Sequence, residues 1–196
     1  RALFAQCLEK NPAQMGVYLE QEDRTVMSLS PERFVLWDKG ILETRPIKGT
    51  RPKGKSAEQK LLQQMDLMSD KKETAELSMI TDLLRNDMAK VSKPGSVRVI
   101  ESQALQELPK IWHTYALIRS ETRDGIRCED IIRALFPGGS ITGCPKKRAM
   151  EILKALESAP RGLYTGCIGY ISDHGRMDMN IAIRTLTVMD GQAYFH

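Results

Sequence analysis

Apolar and polar positions alternate along this chain with two periods, and each period marks a kind of element. Leu3, Phe4, Cys7 and Leu8 recur at helical spacing, so a helix is expected over residues 1 to 10, closed by Asn11-Pro12. Met15 to Leu19 and Arg24 to Leu29 alternate as strands and read as a hairpin over Gln21-Glu22-Asp23. Ser30-Pro31 predicts a helix entry, with Pro31 at the first helical position and Glu32 in a first turn that favours carboxylates. Phe34 to Thr44 reads as two short strands around Asp38-Lys39-Gly40.

Ser56 opens a long helix with Gln59 completing a capping box, and apolar residues at 61, 62, 65, 68, 79, 80, 83 and 84 keep a helical period that Ser69-Asp70 breaks or bends. A turn over Ser92 to Ser96 precedes strands at Val97 to Ile100 and Ile111 to Ile118, then a short helix at Glu129 to Leu135. Pro145 is expected to start a helix that runs to about Leu156, with Met150, Ile152, Leu153 and Leu156 as its buried stripe. Arg161 to Tyr170 reads as a turn into a central strand, Asp173-His174-Gly175 as a hairpin turn, Met177 to Met189 as the returning strand, and Ala193 to His196 as a last one. Strands in hairpins and helices in separate long pieces predict an α+β protein.

Composition narrows the class. The 196 residues are 41% apolar and 28% charged, as in a soluble globular protein with a sizeable core. Twenty-nine basic against 25 acidic residues leave a net charge of +4. That excess is small and scattered, which argues against nucleic acid as a partner. No apolar run reaches the length of a membrane span, and no signal peptide opens the chain. The four cysteines, at 7, 128, 144 and 167, form no Cys-x-x-Cys pair, and free cysteines of this kind suit a reducing, cytoplasmic setting.

Three stretches carry candidate chemistry. In Arg45-Pro46-Ile47-Lys48-Gly49-Thr50, Pro46 fixes its own φ and biases Arg45 toward extended backbone, while Gly49 lets a ligand or another backbone come close. Lys48 is expected at a strand end, pinned rather than mobile, and a pinned, desolvated lysine can act as a neutral nucleophile. Glu73 and Glu76 are three apart on one helix face and suit a cation between them. In Gly138-Gly139-Ser140-Ile141-Thr142-Gly143-Cys144-Pro145-Lys146, three glycines and two hydroxyls precede a helix start, an arrangement that binds anions but has the wrong spacing for a nucleotide phosphate loop. By residue type alone each has a plain alternative: a surface turn, a solvated helix face, a glycine-rich turn.

Taken together these stretches resemble the chorismate-utilising enzymes, from about Met15 to His196. Pro46-Ile47-Lys48-Gly49-Thr50 resembles the signature of the branch that aminates chorismate at C4, the aminodeoxychorismate synthases; the anthranilate-forming branch usually has alanine at the lysine position. The segment ending Asp82-Leu-Leu-Arg85-Asn86-Asp87 resembles the family's metal-binding helix, and the glycine-rich stretch matches the family's motif with Cys144 in place of alanine.

The resemblance implies two antiparallel sheets packed face to face with helices outside. It implies Lys48 as nucleophile, Glu32 as general acid or base at the departing hydroxyl, and His113 as an active-site residue, although this chain has His-Thr-Tyr-Ala where the family usually has His-Leu-Val-Ser. Gly49, Thr50, Gly139, Ser140, Thr142, Tyr164 and Arg184 are the implied substrate-binding positions, and Glu73 and Glu76 the implied ligands of Mg²⁺. Chorismate is the implied substrate, with ammonia from a separate glutaminase subunit or domain, and 4-amino-4-deoxychorismate, on the way to 4-aminobenzoate and folate, the product. Formation of anthranilate, isochorismate or salicylate is the competing enzymatic reading, and an inactive fragment or amidotransferase-binding scaffold the non-enzymatic one.

The family extends further on both sides, with strands and a helix before and a Gly-rich strand and another metal-binding helix after. Residues 1–196 are therefore expected to be one partial catalytic domain, inactive or nearly so on their own.

Overall fold

The computed structural model describes residues 1–195, and all its strand pairs are antiparallel. Helix α1 (Ala2–Lys10) is followed by β1 (Met15–Glu20), β2 (Arg24–Ser30), β3 (Arg33–Asp38), β4 (Ile41–Arg45) and β5 (Ile47–Pro52). Two helices, α2 (Ala57–Ser69) and α3 (Lys71–Ala89), lead to the long pair β6 (Arg98–Glu107) and β7 (Ile111–Glu121). Then come α4 (Cys128–Leu135), a single 3₁₀ turn at Gly139–Ile141, α5 (Lys146–Leu156), β8 (Cys167–Ile171), β9 (Met177–Ile181), β10 (Thr185–Met189) and β11 (Gln192–Phe195). The last expected strand includes His196, which lies outside the described residues.

One sheet has four strands in the order β1-β2-β10-β11, and the other has seven. In the larger sheet β7 carries β6 along one edge, and both β5 and β4 in succession along the other. β4 and β5 are thus nearly one strand, interrupted at Pro46, whose carbonyl still accepts from the Ala116 N–H at 3.1 Å. Proline has no N–H to give to a ladder, so the chain steps out and back in around it. The expectation that Lys48 emerges at a strand end is corrected accordingly: Lys48 is the second residue of β5 and pairs with Thr114.

Helices α2, α3 and α4 pack on the seven-stranded sheet. Leu84 and Met88 of α3 and Ile131 and Leu135 of α4 are buried against Phe34, Val35, Leu42, Ile118 and Met177. Each such side chain, removed from water, stabilises the fold by about 2 kcal/mol. A smaller cluster of Val26, Ile168 and Ala182 joins strands of the two sheets. Asp70 separates α2 from α3: its carboxylate accepts from the backbone N–H groups of Lys72 and Glu73, ending one helix and capping the next. The break expected at Ser69-Asp70 is this cap.

Four other expectations fail. Ser30-Pro31 opens no helix; residues 31 and 32 are the tight link between β2 and β3, closed by the Glu32 N–H on Ser30 Oγ at 3.2 Å. Ser-Pro serves a turn as well as a helix entry, and the apolar run Phe34-Val35-Leu36-Trp37 that follows forms a strand. Residues 177–189 are two strands in different sheets, divided at a corner where Arg184 has φ of +50°. On α5, Met150, Ile152 and Leu156 are exposed and no residue of the helix is buried, because no described element packs over that face. Pro145 is the N-cap of α5, one position before its first residue.

Candidate active site

The site forms where the β2–β3 link, β5 and the glycine-rich turn converge. Glu32 is only 6% exposed. Its carboxylate faces the Ser140 hydroxyl, the Ile47 backbone N–H and the charge of Lys48. Lys48 Nζ donates to the Ser140 carbonyl at 3.1 Å. Ser140 is therefore shared, its hydroxyl to the acid and its carbonyl to the amine. Burial pushes the Glu32 carboxyl up from 4.5 to about 7, while Ser140, Lys48 and the Ile47 amide pull the other way without cancelling it. A carboxyl with that value is partly protonated near neutrality and can both give and take a proton.

The turn holding Ser140 is wedged between α3 and the sheet. A Cβ on Gly138 would lie 2.6 Å from Ile181 Cδ1, and one on Gly139 2.9 Å from Leu83 Cδ2, so only glycine lets the backbone lie this close. Thr142 donates its hydroxyl to the Gly138 carbonyl at 3.0 Å, closing the turn on itself. Arg161 Nη1 holds the Ile141 carbonyl at 3.2 Å.

Beside Lys48 the β5–β7 ladder slips by one residue, and Gly49 takes φ of +75° at the slip. A Cβ there would stand 2.8 Å from Leu67 Cδ1 and 3.4 Å from Glu73 Cβ. Gly49→Ala is expected to cost about 2 kcal/mol of stability through left-handed backbone and overpacking, and to turn Lys48 out of register. Urea denaturation checks the first effect, and the parent midpoint in the variant would disprove it.

His113 follows on β7, 3% exposed, opposite Thr50. Its Nδ1 lies 2.8 Å from Thr50 Oγ1 and 3.2 Å from the Gly49 carbonyl. Burial lowers its pKa, opposed by the Gly49 carbonyl and reinforced by the positive charge of Arg184. Its Nε2 is buried with no hydrogen-bond partner among the described residues. Gln106, opposite His113 on β6, likewise buries an unpartnered Oε1. Gln106 sits in a polar strand without a motif, so nothing in the sequence marked it.

Arg184 lines a cavity of about 380 Å³ with Leu29, Pro31, Gln106 and Ile111, one residue from Glu32. Tyr164 lines a different cleft, with Thr142, Met150 and Arg161. The structure thus brings Lys48, Glu32 and Ser140 together, and His113, Gly49 and Thr50 together, with Arg184 near the second group. Tyr164 and Arg184 open onto separate hollows.

Glu73 and Glu76 project from α3, both part-exposed, and Glu73 lies close to Gly49. Glu73 lies 4.0 Å from Arg51 and Glu76 3.8 Å from Lys72. Among the described residues no group of three or more His, Cys, Asp or Glu side chains is placed to hold a metal. Two hard carboxylates one turn apart nevertheless suit Mg²⁺, which keeps most of its waters and binds protein through one or two carboxylates. No described helix is long and apolar enough to cross a membrane.

The candidate site thus contains a buried acid tied to a lysine by one turn of backbone and a half-satisfied histidine, with a carboxylate pair on α3. Over residues 1–196 the chain matches the family of chorismate binding enzymes, and it belongs to that family. It is 44% identical to aminodeoxychorismate synthase component 1 of Klebsiella aerogenes, over 97% of this chain and 42% of that protein. It is 43% identical to anthranilate synthase component 1 of Aquifex aeolicus, over 92% of this chain and 36% of that protein. The crystal structure of anthranilate synthase component I from Streptococcus pneumoniae superposes with a TM-score of 0.88 at 33% identity, covering 97% of this chain and 42% of that one. The chain spans about two-fifths of the length of these relatives.

Proposed function

We propose that residues 1–196 are part of the catalytic domain of an aminodeoxychorismate synthase component 1, aminating chorismate at C4. The observation that carries this reading is Lys48, held at 3.1 Å from the Ser140 carbonyl beside the buried acid Glu32. Relatives of both the aminodeoxychorismate and the anthranilate kind stand at similar identity, so overall likeness does not choose between them. Lys48 favours the first, because the anthranilate-forming branch usually has alanine at that position.

In the proposed reaction Lys48, as the neutral amine, attacks C2 of the ring, the two conjugated double bonds shift from C1–C2 to C1–C6 and from C5–C6 to C4–C5, and the C4–oxygen bond breaks as Glu32 delivers its proton, releasing water. Ammonia then bonds to C4, both double bonds shift back, and the C2–nitrogen bond breaks with its electron pair returning to Lys48. The proton lost by the incoming nitrogen restores Glu32 to its acid form. One difficult displacement becomes two easier ones. Arg184, Thr50 and the backbone at Gly139 and Ser140 would bind the two substrate carboxylates, and His113 Nε2, unpartnered among the described residues, would form a hydrogen bond with the ligand, whereas Tyr164 faces a separate cleft. Glu73 and Glu76 would hold Mg²⁺, which when bound neutralises a substrate carboxylate and draws electron density from the ring. Ammonia would come from a glutaminase partner, as the "component 1" in the relatives' name suggests.

Product analysis tests the reading. The full chain supplied with chorismate, ammonium and Mg²⁺ is expected to release 4-amino-4-deoxychorismate. Anthranilate or isochorismate as the sole product would overturn it.

A further inference from the structure

One buried ion pair near the site has no part in the reaction above. Asp87, near the end of α3, has a side chain 3% exposed. Lys146, the first residue of α5, places Nζ 2.5 Å from Asp87 Oδ2 and 2.9 Å from the carbonyl of Leu135, the last residue of α4. Between Leu135 and Lys146 lies the entire glycine-rich loop. One ammonium therefore clips the two ends of the loop together and fastens both to α3. Gly139, in the middle of the loop, rests on Leu83 and Leu84, which share a face of α3 with Asp87. Lys90 also reaches Asp87, at 2.7 Å on Oδ1, but from a half-exposed position and with no contact to the loop ends. A surface ion pair in such a place contributes little, whereas a buried, doubly bonded lysine dictates geometry.

We propose that Lys146 is a positioning residue: by bridging Asp87 and the Leu135 carbonyl it sets the span of the loop, and so holds the Ser140 hydroxyl on Glu32 and the Ser140 carbonyl on Lys48. The proposal rests on the roles given to Glu32 and Lys48 above, but its test reads the loop and not the product, so the two can fail separately.

The experiment compares Lys146→Met, Lys146→Arg and Lys90→Met in the full chain. Hydrogen exchange of the 138–142 amides and the titration of Glu32, followed by carboxyl ¹³C NMR, are measured on each. In Lys146→Met the loop amides are expected to exchange on the order of tenfold faster, and the Glu32 carboxyl, deprived of its Ser140 donor, to titrate about one unit higher. Lys146→Arg, which keeps donors for both acceptors, is expected to restore the parent behaviour, and Lys90→Met to leave it unchanged. Should Lys146→Met fail to fold, Lys146→Gln, which can still donate to the Leu135 carbonyl but lacks the charge, carries the same comparison. Parent-like exchange and titration in the folded Lys146 variant, or an equal change in Lys90→Met, would overturn the proposal.

Discussion

Lys48→Ala in the full chain is expected to lower formation of 4-amino-4-deoxychorismate on the order of 10³-fold or more, with any residual turnover moving to products of direct attack by ammonia or water at C2. The expectation follows from where the amine is held. Lys48 lies inside β5, its carbonyl bonded by the Thr114 hydroxyl and its Nζ fastened to Ser140, so the chain spends little entropy in presenting it. No neighbouring side chain can substitute for it, since Glu32 and Ser140 are oxygen donors and acceptors without comparable nucleophilicity. Lys48→Arg separates the two roles a lysine can have. It keeps a positive charge beside Glu32 but offers no neutral nitrogen, because a guanidinium stays protonated. If Lys48 acts as a nucleophile, both variants lose the 4-amino product. If Lys48→Arg keeps even a tenth of the parent rate, the role is electrostatic and the covalent step is wrong. Intact-mass analysis of the parent enzyme during turnover provides the independent reading, since an adduct on Lys48 raises the mass by that of chorismate less one water.

What the sequence displayed of this site, and what it concealed, divides along the reach of the interactions. The α2–α3 break was legible because a cap is local: Asp70 bonds Lys72 and Glu73, two and three residues away. The β1–β2 and β3–β4 hairpins were legible because their turns are short and their strands alternate. Positions 32, 48 and 140 each have a plain local explanation, and only the family resemblance implied that they belong to one site. Glu32 is the clearest case. Read locally it was a first-turn helix carboxylate in water; in the fold it is a buried acid, and only the arrival of residues 47, 48 and 140 makes it so.

The division of residues 177–189 between two sheets was not legible. Both halves carry the same strand-like pattern, and the corner at Arg184 is set by partners on β2 and β3, far off in sequence. The apolar stripe of α5 was legible as a stripe, but periodicity reports that a face is apolar and not what covers it. Lys146 and Asp87 were each visible as members of motifs, yet nothing in either motif says that they meet across 59 positions.

Glu32→Gln is expected to separate activity from stability in opposite directions. In the folded chain the carboxyl titrates at about 7, against 4.5 ordinarily. Between those two values the folded state holds a proton that the unfolded state has released, so stability falls as pH rises through that window. Below about 4.5 both states are protonated and the group is neutral in its effect; above about 7 both are ionised and the burial penalty is complete, on the order of 3 kcal/mol. Glutamine has the same shape without the charge. Its substitution is therefore expected to raise the unfolding free energy at pH 8 by up to that amount and to change it little at pH 5, as urea denaturation at the two values would show. Turnover moves the other way. With no proton for the departing hydroxyl, kcat/KM is expected to drop about 10²- to 10⁴-fold. The parent should show a basic limb in kcat/KM near pH 7, where Glu32 ceases to be an acid, and that limb should vanish from whatever activity remains in the variant. A variant that is less stable than the parent at pH 8, or a parent profile without a basic limb near neutrality, would mean that Glu32 is not held as an acid by burial, and the acid step at C4 would have to be assigned to another group.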